Sequence, residues 1–162
     1  REISNKVFWE KAMNIEQLRK ELELDEGCKH EIYLDHLGFP TLGIGHLITE
    51  WDEEYSKDVG TEITDDRVKE CFEKDVGNVI KDCERLYEDF EYLPEDAQLI
   101  IANMIFNMGY TRLSKFRGMK AGVDARDWNK AADEMIDSKW YEQVPNRAGR
   151  LVKRMRSLHG SI

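Results

Sequence analysis

Cysteine is scarce in this chain: 162 residues hold only Cys28, Cys71 and Cys83. An odd number without metal-ligand spacing reads as buried or inert thiols rather than as zinc ligands or a disulfide framework. Cys71 and Cys83 fall on one predicted helix, about 18 Å apart along its axis and too distant to pair there. Long apolar runs are missing as well, and none approaches the roughly 20 residues that span a bilayer. Positive charge is in deficit. Lys and Arg number 24 against 33 Asp and Glu, a net charge of −9, which is the wrong sign for nucleic acid. There is no internal repeat and no low-complexity linker, so a chain of this length reads as one folding unit with a proper core. It opens at Arg1 without methionine or a signal-like apolar run, which reads as a processed or truncated N-terminus.

The apolar and aromatic content, 41% and 10%, is that of a soluble globular protein and excludes wholesale disorder. Charge is segregated: acids dominate from Glu16 to Asp96, whereas Arg147, Arg150, Lys153, Arg154 and Arg156 follow Asn146 with no acid among them. Ile3, Val7, Phe8 and Ala12 suggest an added helix over 1–13. Asn14, with Gln17 three residues on, opens the next helix as in a capping box; Ile15, Leu18 and Leu22, with Cys28 at the far end, form its stripe, and Gly27 stops it. Two β-like runs follow, Ile32 to Leu34 and Thr41 to Ile44, separated by the turn chemistry of His36 to Pro40. Trp51 to Thr61 is acidic and loop-like. Thr64 caps a long helix to about Glu84, burying Val68, Phe72 or Cys71, Val76, Val79 and Ile80. Pro94 begins a helix to Met108 that is apolar all round and belongs at the centre of a helical lobe. Further helices are predicted over Ser114–Ala121, Ala125–Ser138 and Asn146–Leu158, the last with Ala148, Leu151, Val152, Met155 and Leu158 inward and its basic residues outward. The expected architecture is α+β and mainly helical. A small hairpin-bearing lobe (14–64) and a larger helical lobe (85–162) are joined by a connecting helix (65–84), all within one domain.

The chemistry concentrates in DEGCKHEIYLDHLGFPTLGIGH, from Asp25 to His46. Glu26 sits in the last turn of its helix, where unpaired carbonyls make a carboxylate unwelcome and favour the protonated form a general acid needs. A solvated surface glutamate is the plain alternative. Asp35 stands at the start of the turn, where aspartate commonly braces a bend, and Thr41 is equally a good strand former. Together they supply an acid, an acidic partner and a hydroxyl on one helix–hairpin unit, the equipment for glycosidic hydrolysis. Gly43 and Gly45 fit close backbone packing or a substrate approaching the strand. No metal or cofactor site is read from the sequence.

The order LDEG, IYLDHLGFPTLGIGH, ITDDRVKECFEKDV, IIANMIFNMG and SKWYEQVPNRAGR resembles the T4-type phage lysozymes (glycoside hydrolase family 24). The likeness runs from about Asn14 to Arg156. Its most specific element is Glu26, Asp35 and Thr41 in E-x(8)-D-x(5)-T with GIGH behind, and WYEQVPNRA supports it independently. The resemblance implies a lysozyme-like fold and cleavage of the β-1,4 bond between N-acetylmuramic acid and N-acetylglucosamine in peptidoglycan, by inversion. It implies that Glu26 protonates the leaving oxygen while Asp35 and Thr41 hold the water. It pairs Arg147 with Glu26, although Arg147 alone reads as one of several basic residues on an exposed helix face. Such a pairing opposes the helix-end effect on Glu26. The resemblance also pairs His46 with Asp75 as a structural ion pair and lines the saccharide cleft with Leu47 and Phe106; for Phe106, core packing is the equal alternative. Trp128, Trp140 and Tyr141 read as core. Met119 and Glu134 stand where the family commonly has polar uncharged substrate contacts.

The partner implied is bacterial peptidoglycan, bound by a monomer without nucleic acid or membrane span. The setting is a phage-infected host cytoplasm or the extracellular space, in lysis, phage penetration or host defence. A wall-binding or structural module without turnover is the alternative from another class, and chitin is an alternative substrate. Retention of Glu26, Asp35 and Thr41 together speaks for the enzyme.

Overall fold

A computed structural model describes residues 13–158, so the helix expected over 1–13 lies outside the described residues except for its last position. The described chain is mostly helical with one small antiparallel sheet, the α+β class. It resolves into two compact units, residues 19–78 and residues 13–18 with 79–158. Both divisions fall inside helices, in keeping with the missing linker.

Helix α1 (Ile15–Glu26) starts where the Gln17 amide donates to Asn14 Oδ1 at 3.1 Å. It ends at Gly27, whose φ of +81° turns the chain away. Leu18 and Leu22 are fully buried, but Ile15 is 46% exposed. Cys28 is exposed too, because Gly27 has already carried it out of the helical stripe. The sheet follows in the order β1 (Lys29–Leu34), β2 (Pro40–Gly43), β3 (His46–Leu47). Sequence patterning missed β3, which at two residues is too short to alternate. Tyr33 pairs with Thr41 and Thr41 with Leu47, while Leu42 pairs with His46. Cross-strand partners share a face and successive residues alternate. Tyr33, Thr41 and Leu47 therefore form a row on one face, and Leu42 and His46 lie on the other. The loop that follows returns along the outer edge of β1, where Ile32 and Ile63 donate to Thr61 and His30 carbonyls at 2.9 Å; the edge is thereby covered.

Helix α2 (Asp65–Leu86) is capped by Thr64 Oγ1, which accepts the Arg67 amide at 3.1 Å, with Asp65 and Asp66 matching the helix dipole. Val68, Cys71, Phe72, Val76 and Val79 are buried. Ile80, expected inside, is only partly so; Cys83, seven residues after Val76 and four after Val79, continues the stripe instead.

In the second unit α3 (Glu95–Met108) is buried without a break from Ala97 to Ile105. Its buried Gln98 is satisfied by the Phe90 carbonyl at 2.9 Å. Next come α4 (Tyr110–Leu113), α5 (Arg117–Asp124), α6 (Trp128–Ile136), α7 (Lys139–Gln143) and α8 (Pro145–Ser157). The predicted boundaries shift here because α4 and α7 are too short to show a period. Ser138, expected to close a helix, instead caps α7 by accepting the Tyr141 amide at 3.1 Å. Gly122 lets α5 approach α6 so closely that a Cβ would meet the Ala131 backbone nitrogen at 2.7 Å. Trp128 and Trp140 are core residues, and Tyr141 is partly buried. On α8 the inward apolar face is as expected, but Arg147 is not an exposed cation. It is 8% exposed, with Nε donating to Asn103 Oδ1 at 2.8 Å, so a fixed polar partner draws it inward. No helix of the described residues is long and apolar enough to cross a membrane.

Candidate active site

The C-terminal residue of α1 is Glu26, and its half-buried side chain lies against the turn between β2 and β3. That turn passes through Gly45 at φ +59°, where a Cβ would stand 2.9 Å from Glu26 Oε1 and 3.3 Å from its Cβ and Cδ. Only glycine combines this backbone conformation with so close an approach. Gly43, at φ +58°, has a different neighbour: a Cβ there would meet Val68 Cγ1 at 3.1 Å. The two glycines of GIGH thus seat the hairpin on α2 and on the candidate acid respectively.

Asp35 organises the tip of the hairpin. Its Oδ1 accepts the amides of Leu37 and Phe39, both at 2.9 Å, and its own amide donates to the Phe39 carbonyl at 2.9 Å. This is the bend-bracing role aspartate commonly plays, and it fixes the carboxylate through Oδ1. Thr41, 3% exposed, donates its hydroxyl proton to the Phe39 carbonyl at 2.8 Å. Its oxygen therefore meets any further partner as an acceptor. The Phe39 carbonyl thus accepts both the Asp35 backbone amide and the Thr41 hydroxyl.

Tyr33 was missed by the sequence reading, which treated it only as a strand residue. Burial and the carboxylate of Glu26 push its phenol above the usual range; the Gly45 amide opposes this, and Asp35 and Cys28 add to the rise. The Lys29 ammonium lies 4.4 Å from the ring centroid. A single phenol thus feels both Glu26 and Asp35. The available signal was strand alternation, since Tyr33 precedes Asp35 by two and pairs with Thr41.

On the opposite face His46 is held at both ring nitrogens. Nδ1 lies 2.7 Å from Asp75 Oδ2 and Nε2 3.0 Å from Asp52 Oδ2. Burial disfavours the charged ring, but the two carboxylates outweigh it and raise its pKa. Burial likewise acts against the Asp52 carboxylate, yet the Thr49 amide and His46 hold its pKa below the usual range. Arg67 joins this group through Glu54 at 2.8 and 2.9 Å, Glu70 at 2.7 Å and Asp52 at 3.3 Å. Asp52, Glu54 and Arg67 were not singled out from sequence; the two acids come from the acidic, loop-like segment and Arg67 from the first turn of α2.

Glu26, Asp35, Thr41, His46, Leu47 and Asp75 all belong to the unit of residues 19–78, and Phe106 and Arg147 to the other. Leu47 is 50% exposed beside Thr41, and Phe106 is partly buried on α3. Met119 is fully buried and so is a core residue of its unit. Glu134 lays its carboxylate across Gly118 at the start of α5.

Residues 23–157 match the phage lysozyme family. The pre-baseplate central spike protein Gp5 of Enterobacteria phage T4 is 33% identical over 149 residues, which cover 81% of this chain and 26% of that protein. A probable T4-type lysozyme of Dictyostelium discoideum is 31% identical over 157 residues, 85% of this chain and 92% of its own length. The peptidoglycan hydrolase gp36 of Pseudomonas phage phiKMV is 32% identical over 139 residues, 85% of this chain and 15% of its own length. The chain thus spans nearly all of one relative and a minor part of two longer ones. A helix-borne glutamate seated on the glycine of GIGH and a match over most of the sequence lead to one conclusion: the chain belongs to the phage lysozyme family.

Proposed function

We propose that this lysozyme hydrolyses the β-1,4 bond between N-acetylmuramic acid and N-acetylglucosamine of peptidoglycan by inversion, with Glu26 as general acid and Asp35 as general base. The observation that carries the assignment is that Glu26, at the end of α1, lies against Gly45 of the hairpin that bears Asp35 and Thr41, with Tyr33 under the influence of both carboxylates. The relatives named as T4-type lysozyme and peptidoglycan hydrolase support the substrate.

In this reading Glu26 gives its proton to the departing glycosidic oxygen. A water between Asp35 Oδ2 and Thr41 attacks the anomeric carbon from the opposite side of the sugar ring. Because the Thr41 proton is engaged by the Phe39 carbonyl, the hydroxyl can only accept one water hydrogen, while Asp35 takes the other. The water lone pair then points at the reacting carbon. Inversion needs the carboxyls about 6.5–9.5 Å apart to admit that water. Leu47, exposed in the same row as Thr41, offers an apolar rest for a sugar face. The chain works as a monomer, and its charge of −9 sets nucleic acid aside as a partner.

The stereochemistry is tested by following the first product formed from a soluble peptidoglycan oligosaccharide by proton NMR. Initial appearance of the α-anomer is expected, and initial appearance of the β-anomer contradicts the assignment of Asp35 as base rather than nucleophile.

A further inference from the structure

We infer that His46, Asp52 and Cys71 form a binding site for a divalent cation of the zinc type, on the sheet face turned away from Thr41. One donor atom from each residue, an imidazole nitrogen, a carboxylate oxygen and a thiol sulfur, falls within 4.8 Å of the other two. All three residues are buried. With zinc–ligand bonds of about 2.0–2.3 Å, tetrahedral donors stand roughly 3.3–3.8 Å apart, so an approach of about 1 Å closes the set. His46 Nε2 and Asp52 Oδ2 are already 3.0 Å apart.

Three further features favour a cation. Asp75 holds His46 Nδ1 at 2.7 Å, the arrangement in which a carboxylate fixes a metal-binding imidazole and turns its other nitrogen to the ion. The donors come from β3, the loop after it and α2, so one ion would tie three elements together. The surrounding charge is negative: Asp52, Glu54, Glu70 and Asp75 outnumber Arg67, whose guanidinium is engaged more closely by Glu54 and Glu70 than by Asp52. The hydrogen bonds of His46 and Asp52 make no use of the thiol. Binding displaces the Nε2 proton and the Cys71 proton to solvent, and three protein donors leave one tetrahedral position for water. Sequence spacing hid the site, because its ligands are scattered over strand, loop and helix rather than arranged as a motif.

The test uses the chelator-stripped chain carrying Cys28→Ser, which removes the exposed thiol. It is titrated with Co2+ at mildly alkaline pH and followed by absorption. Stoichiometric binding is expected, with a sulfur-to-cobalt charge-transfer band and the intense visible bands of tetrahedral cobalt. Zn2+ should displace the ion and raise the melting temperature. Asp75→Asn should keep the band with affinity lowered about 10–100-fold, and Cys71→Ala should abolish it. A weak octahedral spectrum without charge transfer overturns the site on the Cys28→Ser chain alone, whether or not Cys71→Ala folds. A band that survives Cys71→Ala also overturns it, by placing the ion on another thiol.

Discussion

Gly45 leaves no room for a side chain beside Glu26, which makes it the sensitive probe of the acid's position. Gly45→Ala adds a methyl 2.9 Å from Glu26 Oε1 at a backbone φ of +59°. We expect a stability cost of about 1 kcal/mol and, from the displaced carboxyl, a loss of kcat on the order of 10²-fold. Gly60→Ala has comparable backbone strain, at φ +93°, but open space around the new methyl. It should cost similar stability and leave kcat alone. Equal kcat losses in both variants would detach the effect from Glu26. His46 yields a pH prediction. Its pKa is raised in the folded chain by Asp75 and Asp52 against the opposing effect of burial, with Arg67 and Cys71 the other ionisable neighbours. A raised cation pKa contributes stability that is complete below the unfolded value, about 6.5, and is lost as pH climbs through the folded value. In chelator-treated protein, the melting-temperature gap between the parent and His46→Asn should therefore shrink from pH 5 to pH 9. A gap that widens would show the ring to be held neutral.

Among the elements, α5 and α6 give the sharpest packing test. Gly122→Ala drives a methyl to within 2.7 Å of the Ala131 nitrogen and 3.0 Å of its Cα, and backbone cannot rotate aside. Thermal unfolding should show a loss of about 1–3 kcal/mol, with kcat unchanged where the chain is folded; an unshifted melting curve would refute the tight crossing. The elements were also where the sequence was most readable. Capping by Asn14 and Thr64, the stop at Gly27 and the all-apolar α3 each follow from local chemistry. Patterning failed where the deciding information is not local. The strand β3 and helices α4 and α7 are too short to repeat their own period. Cys83 replaces Ile80 inside because the stripe on α2 drifts with each turn, and Arg147 is drawn inward by Asn103 from another helix. In the candidate site the same division holds. Glu26, Asp35 and Thr41 were legible as an ordered motif, whereas Tyr33, Asp52 and Arg67 become meaningful only once register and the loop's return along β1 are known.

For the molecule as a whole, charge sets the approach to substrate. Peptidoglycan surfaces are anionic, and the chain carries −9, so long-range attraction is replaced by repulsion that salt screens over a Debye length of about 10 Å at 0.1 M. Lysis of intact cells by the 162-residue chain should therefore rise as salt is added from low ionic strength. A steady decline would show that the basic face of α8, with Lys153 and Arg156, governs the encounter instead. The assignment of Glu26 as proton donor underlies everything said of the reaction. Turbidity clearing of purified peptidoglycan by the parent and by Glu26→Gln, matched in folded concentration by circular dichroism, tests it most directly. General acid assistance contributes about 10²–10⁴-fold, so the variant should retain its fold and clear peptidoglycan at least about 10²-fold more slowly. Clearing by Glu26→Gln at the parental rate would contradict the account.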